Sequence, residues 1–231
     1  MLLPPLSPAD YQAIALSIKV AAAASILSLP FGYAVACLLT YLEFRGKLLL
    51  EVLVNLPLTL PPVVVGYLLL VMFGTHGWLG AWLSQHGIRI IFTAKASVVA
   101  SAVVGFPLLV RSLRTSLEGI DRQLIHAART LGATWFGTLI SVILPLSLTG
   151  LLAGSSLMFA RSLGEFGATI IVAGNIPGVT QTIPLAIYEY ACSPTSEQMA
   201  LSLCLASVTI SVAVMYLHER FARKAARRNG A

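Results

Sequence analysis

Residues 121–145 read DRQLIHAARTLGATWFGTLISVILP, a polar, helix-forming interruption between two long apolar stretches. Asp121 suits a helix start, because its carboxylate can accept from the unpaired N–H groups of a first turn. Leu124, Ala127, Ala128 and Leu131 then recur at helical spacing and share one face of a short helix. Gly132 follows where a left-handed stop is easiest for a residue without a Cβ. Thr134 can cap a second helix that runs toward Pro145. The expectation is a helix–turn–helix on a membrane surface, whose first helix has a face of unusually small residues. Another protein's walls can close tightly around such a face.

The rest of the chain makes the membrane setting plain. Of 231 residues, 57% are hydrophobic and only 10% charged. A soluble domain carries about 25% charged residues, so this composition points to lipid as solvent. The net charge of +6 does not indicate nucleic acid, since the basic residues are not massed beside aromatics on one soluble domain. Cys37, Cys192 and Cys204 lack metal-type spacing, and an odd count cannot pair fully within one chain. Residues 1–12 contain no Lys or Arg and hold Pro4, Pro5 and Pro8, unlike a cleavable signal peptide.

The apolar stretches suggest an all-α polytopic bundle of about five membrane spans, or six if residues 161–174 cross separately. The first covers residues 14–41, with Lys19 placed to snorkel to the interface. The second, residues 48–73, holds Pro57, Pro61 and Pro62, which remove three backbone donors and must bend or break the helix. That kinked span serves either packing or a pathway. Residues 74–92 read as a loop with Trp78 and Trp82 at an interface. A third span covers 93–113, and a fourth has its clearest apolar part at 146–159. The run RSLGEFGATIIVAG (161–174) reads as a continuation of the fourth element, interrupted at Gly164 and Gly167. Residues 174–198 read as a polar loop, residues 199–217 as the last span, and residues 218–231 as a basic tail. Arg45, Lys47, Arg111, Arg114, Arg122, Arg129 and the tail lie on one side, against Arg89 and Lys95 on the other. The positive-inside rule then puts the N-terminus outside and the tail, with the 121–145 hairpin, in the cytoplasm.

Few residues offer chemistry. Arg161 and Glu165 are spaced to pair on one helix face. An ion pair at membrane depth either braces a helix break or lines an aqueous path, where Arg161 would guide an anion and Glu165 would keep it from holding too tightly. No P-loop lysine, H-E-x-x-H motif or nucleophile elbow occurs, so no nucleotide-binding or catalytic apparatus is expected in this chain. His76, His86, His126 and His218 are scattered, and no metal or cofactor site is expected.

Ala127-Ala128, three residues, Gly132, nine residues and then Val142-Ile143-Leu144-Pro145 resembles the loop of permease subunits in binding-protein-dependent ABC importers. The family pattern is Glu-Ala-Ala, three residues, Gly, nine residues, Ile-x-Leu-Pro. His126 stands here for the Glu and Val142 for the Ile. LPLTLPPVVVGYLLL (56–70) and GEFGATIIVAGNIPGVTQTIPLAIY (164–188) resemble segments of molybdate permeases, close to those for sulfate and tungstate. The resemblance covers most of residues 12–217. It implies a homodimeric, all-helical permease whose surface helices dock into two cytoplasmic ATPase subunits, where ATP is used. A periplasmic or lipid-anchored binding protein would deliver a tetrahedral oxyanion, molybdate or tungstate. By that resemblance Ala127, Ala128, Arg129, Gly132 and Pro145 serve coupling to the ATPase.

Three other classes compete. A secondary transporter would use an ion gradient and usually show internal repeats; a membrane enzyme would need a catalytic cluster; a structural subunit would need neither. The 121–145 loop speaks against all three, and a sulfate-type permease is the nearer alternative.

Overall fold

Ser7 opens the first helix with a reciprocal cap. Its hydroxyl accepts from the Asp10 N–H, and the Asp10 carboxylate accepts from the Ser7 N–H at 2.7 Å. That helix, α1 (Pro8–Tyr41), runs on through Pro30 for 34 residues. At 1.5 Å per residue this is about 51 Å, more than a bilayer's apolar thickness of roughly 30 Å. The computed structural model describes residues 4–194 and 196–228, and every regular element among them is helical. With α5 (Ala94–Glu118) and α12 (Glu197–Arg228), α1 gives three helices long and apolar enough to cross a membrane. The number reaches five if each of two bent helix pairs counts as one span. The α12 backbone stays helical to Arg228, so most of the basic tail continues that helix; residues 229–231 lie outside the described residues.

The expected kinked second span is broken outright. α2 (Lys47–Thr59) and α3 (Pro62–Phe73) meet at 115°. Pro61 and Pro62 cause this: consecutive prolines force Leu60 and Pro61 into extended backbone, and Pro62 starts the next helix. Pro57 sits within α2 without ending it. The following stretch contains a short helix, α4 (Trp78–Gln85), with both tryptophans exposed.

The fourth element is interrupted, as expected. After α9 (Leu148–Leu163), Gly164 ends the helix, and α10 (Gly167–Ala173) restarts it three residues later. Gly167 does not act as a breaker. A Cβ there would press on Pro62 Cβ at 2.8 Å, so the missing side chain lets the start of α10 abut the start of α3. Gly66 does the same one turn on, where a Cβ would stand 2.8 Å from the Ala168 backbone. The two broken spans thus pack break against break. Val65, Leu69, Ala100, Val104, Ala168 and Val172 fill the seam between α3, α5 and α10.

Residues 174–198 are not the polar loop that composition suggests. Pro184 lies in the first turn of α11 (Ile183–Ala191), where a missing N–H costs nothing. The Ile183 N–H donates to Ser17 Oγ at 2.8 Å, Tyr190 donates to Asp10 at 2.9 Å, and Asn175 and Gln181 both donate to Glu189. Three prolines and several polar residues masked a folded cap over the start of α1. The larger core lies where α1 crosses α5 and α9, around Leu39, Leu109, Leu113, Leu117, Ile143 and Met158.

Gly66→Val should lower the thermal midpoint in detergent, because backbone cannot retreat as a side chain can. Overpacking of this kind costs about 1–3 kcal/mol, and an unchanged midpoint would show that the α3–α10 seam is loose.

Candidate coupling site and the paired helix breaks

Asp121 caps α6 (Arg122–Thr130), its carboxylate accepting from the Gln123 N–H at 2.8 Å. The helix ends in a paired stop: the Ala133 N–H donates to the Ala128 carbonyl at 3.1 Å, and the Gly132 N–H to the Arg129 carbonyl at 3.0 Å. This Schellman arrangement needs a left-handed residue, and Gly132 supplies it at φ +89°. Nothing lies within 4 Å of a Cβ built there, so the demand for glycine is conformational and not steric. Thr134 then caps α7 (Trp135–Thr138), accepting from the Gly137 N–H at 3.1 Å.

One feature of the second helix was not legible in the sequence. A π-turn at Leu139–Ile143 leads into α8 (Leu144–Leu146), and the chain then bends by 68° into α9. Pro145 sits at this bend. Ser147, fully buried, steadies it by donating to the Leu144 carbonyl, with the Tyr33 hydroxyl 3.0 Å away.

The hairpin is held from inside and open outside. Ile125 is only 7% exposed and joins Leu117, Ile120 and Ile143 in the main core. Trp135 packs edge-on against Tyr41 at the end of α1, with ring centroids 5.8 Å apart. Leu124, Ala127 and Leu131 point away from the core. Leu131 is 89% exposed, Leu124 is 49% exposed and Ala128 is half-buried. His126 and Arg129 are exposed beside them. The sequence picked out the outward face and passed over Ile125, the residue that fixes it. Arg114 was missed too. It bridges Glu51 of α2 and Glu118 of α5 at 2.7 Å each, tying α2 to the end of α5 near the hairpin. In the connecting turn, the hydrogen bond from Lys47 holds the exposed Glu43 carboxyl below its ordinary range.

At the other break, Arg161 and Glu165 do pair, at 2.7 Å. The Glu165 side chain is 2% exposed, and its second oxygen accepts from the Ala168 N–H at 2.9 Å. Glu165 therefore caps α10 while neutralising Arg161, which is 31% exposed. One carboxylate oxygen caps α10 and the other lies in ion-pair contact with Arg161, so the pair braces the break. The structure brings Gly167 against Pro62; Gly164 and Glu165 precede Gly167 in the same break, Pro61 precedes Pro62, and Pro57 lies within α2. Among the described residues, no three His, Cys, Asp or Glu side chains gather as a metal site would require.

Membrane-length and broken helices, with a capped hairpin presenting an apolar face at one end, make a multi-pass membrane protein. The chain belongs to the family of binding-protein-dependent transport system inner membrane components, whose sequence profile matches residues 28–227. It is 46% identical to the molybdenum transport system permease protein ModB of Escherichia coli K12, over 97% of this chain and 99% of that one. It is 36% identical to a probable sulfate transport system permease protein, cysT, of Nephroselmis olivacea, over 79% of this chain and 64% of that one. Its fold matches a bacterial alginate ABC transporter solved with a pentasaccharide-bound periplasmic protein, at a TM-score of 0.76 and 15% identity, over 94% of this chain and 80% of that one.

Arg161→Gln should destabilise the fold by roughly 2 kcal/mol, less than the 3–5 of a fully buried pair because Arg161 is partly solvated. Adding Glu165→Gln should restore part of the loss, since glutamine still accepts from the Ala168 N–H and leaves no unpaired buried charge. Thermal midpoints of the single and double variants decide the matter. A double variant no more stable than the single one would contradict the bracing role.

Proposed function

We propose that this chain is the transmembrane subunit of an ATP-driven importer of molybdate, working as a homodimer with two cytoplasmic ATPase subunits. The observation that carries the substrate is the identity of 46% across nearly the whole length of a molybdenum permease, against 36% over a shorter stretch of a sulfate permease. The observation that supports the coupling is the hairpin itself. It is anchored by Ile125 and Trp135, while Ala127, Arg129 and Leu131 are exposed on its outside and Ala128 is half-buried beside them.

In this reading the hairpin carries the mechanism. The ATPase pair receives α6 in its clefts, with Ala127 and Ala128 at the close contact and Arg129 at its edge. Closure on ATP drags α6. Ile125 passes the displacement to Leu117 and Ile143, and so to α5 and to the bent element that begins at Pro145. The permease turns from inward-facing to outward-facing, accepts the ion from a periplasmic or lipid-anchored binding protein, and returns on hydrolysis. ATP is used on the partner subunit. This chain binds no cofactor or metal of its own, and the oxyanion is cargo. The N-terminus lies outside, and the basic end of α12 lies in the cytoplasm with the hairpin. Molybdate and tungstate share size and charge, so tungstate would also be carried.

Uptake into proteoliposomes holding this chain, its ATPase and its binding protein tests the reading, with excess sulfate as competitor. Molybdate uptake that survives sulfate and stops without ATP is expected. Efficient competition by sulfate would move the chain to a sulfate-type permease, and uptake indifferent to ATP would support a gradient-driven carrier. Gly132→Asp should insert into the membrane normally yet abolish ATP-driven uptake, because an L-residue at φ +89° is strained and tilts the docking face. Normal uptake by that variant would sink the coupling role of the turn.

A further inference from the structure

Toward the α6 end of the bundle, α5 and α9 leave between them an open groove of about 520 Å³, lined by Arg111, Ser112, Thr115, Ser116, Thr149 and Gly150 with flanking apolar residues. The helices close at its base because Gly150 and Gly154 have no side chains. A Cβ at Gly150 would run into Ser116, and one at Gly154 would stand 3.1 Å from Leu109. Above that contact most of the lining is apolar, with Arg111 and the hydroxyls of Ser112, Thr115, Ser116 and Thr149 as its polar points, and no acidic side chain lines it.

Arg111 is exposed and has no carboxylate partner among the described residues, unlike Arg114 one turn on, which has two. It stands in the last two turns of α5, on the side where the basic residues gather, so its guanidinium is open to an anion arriving there. The hydroxyls around it divide into two kinds. Ser112 donates to the Gly150 carbonyl at 3.2 Å and Thr115 to the Arg111 carbonyl at 3.1 Å, so their protons are spent. Ser116 and Thr149, which line the groove from the two helices, have no hydrogen-bond partner among the described residues and are free to donate.

We infer that this groove is a transient binding site for a tetrahedral oxyanion on the inner part of the transport path. It rests on the oxyanion-importer reading above. The guanidinium fork offers two parallel N–H donors to adjacent oxygens, and Ser116 and Thr149 supply hydroxyl donors to the others. Openness keeps the site weak, as a path requires. Its position links it to the hairpin: Arg111 lies six residues before Leu117, about 9 Å along the helix, and Leu117 packs in the same core as Ile125. Movement of α6 therefore reaches the end of α5 that carries Arg111. A phospholipid phosphate has the same chemistry, and the test separates it from the carried ion.

The wild-type chain, Arg111→Gln, Arg111→Lys and the double variant Ser116→Ala/Thr149→Ala are purified as complexes with the ATPase, with assembly on size exclusion as the folding control. Molybdate should raise the thermal midpoint of the wild-type complex above that in chloride of equal ionic strength. The rise should vanish in Arg111→Gln, persist in part in Arg111→Lys, and shrink in the double variant. An equal rise in wild type and Arg111→Gln overturns the site, as does no rise in the wild type. Mass spectrometry of bound lipid supplies the second arm. A phospholipid held by the wild type, missing from Arg111→Gln and not displaced by molybdate, would overturn the assignment to the carried ion. In proteoliposomes, Arg111→Gln should cut molybdate uptake at least tenfold. Wild-type binding at Arg111 without any import would refute the importer reading and leave the site standing, whereas undiminished import by Arg111→Gln would refute the site alone.

Discussion

In hydrocarbon, a backbone N–H or C=O has no water to fall back on, so a membrane helix can break only where protein repairs the loss. Most of this architecture follows from how three breaks are repaired. At Pro61 and Pro62 the chain turns by 115°, and the exposed start of α3 is covered by the start of α10. At Gly164 the repair is electrostatic: Glu165 accepts from the Ala168 N–H and is held in turn by Arg161. At Pro145 it falls to Ser147 and Tyr33. The first two repairs are the same contact seen from two sides, since Gly167 must be bare for Pro62 to fit.

The third break matters for motion. A 68° bend separates the hairpin helix from α9, so the hairpin projects from the bundle and does not extend one of its spans. What keeps it from swinging freely is a small set of contacts: Ile125 in the core, Trp135 on Tyr41, and a capped start and Schellman stop that fix the length of α6. A rod of fixed length, anchored at its inner face and free at its outer one, transmits force. A flexible loop of the same composition would absorb it.

How much of this was legible depended on whether the signal was local. The hairpin could be read because capping, helical spacing and a left-handed stop are short-range rules, and Asp121, Gly132 and Thr134 obey them. The break at 164–167 could be read from two glycines, but the purpose of Gly167 could not, because its neighbour Pro62 lies more than a hundred residues away. Prolines misled in both directions. Pro57 was grouped with Pro61 and Pro62 yet ends no helix, and Pro184 helped disguise α11 as loop although it sits where a helix tolerates proline best. Ile125 was passed over because its burial comes from Leu117 and Ile143, not from the periodicity of its own helix. The Arg161–Glu165 spacing foretold the pair, while its use as a brace depended on the Ala168 N–H, which only the folded chain places.

In the proposed importer, the outer face of α6 lies in the cytoplasm and is covered by the ATPase. Ala127→Cys, in a background where Cys37, Cys192 and Cys204 are replaced, tests it through a membrane-impermeant maleimide applied to inside-out vesicles. Rapid labelling of the permease alone and strong protection once the ATPase is bound are expected. Labelling only in right-side-out vesicles, or labelling that the ATPase does not change, would contradict it.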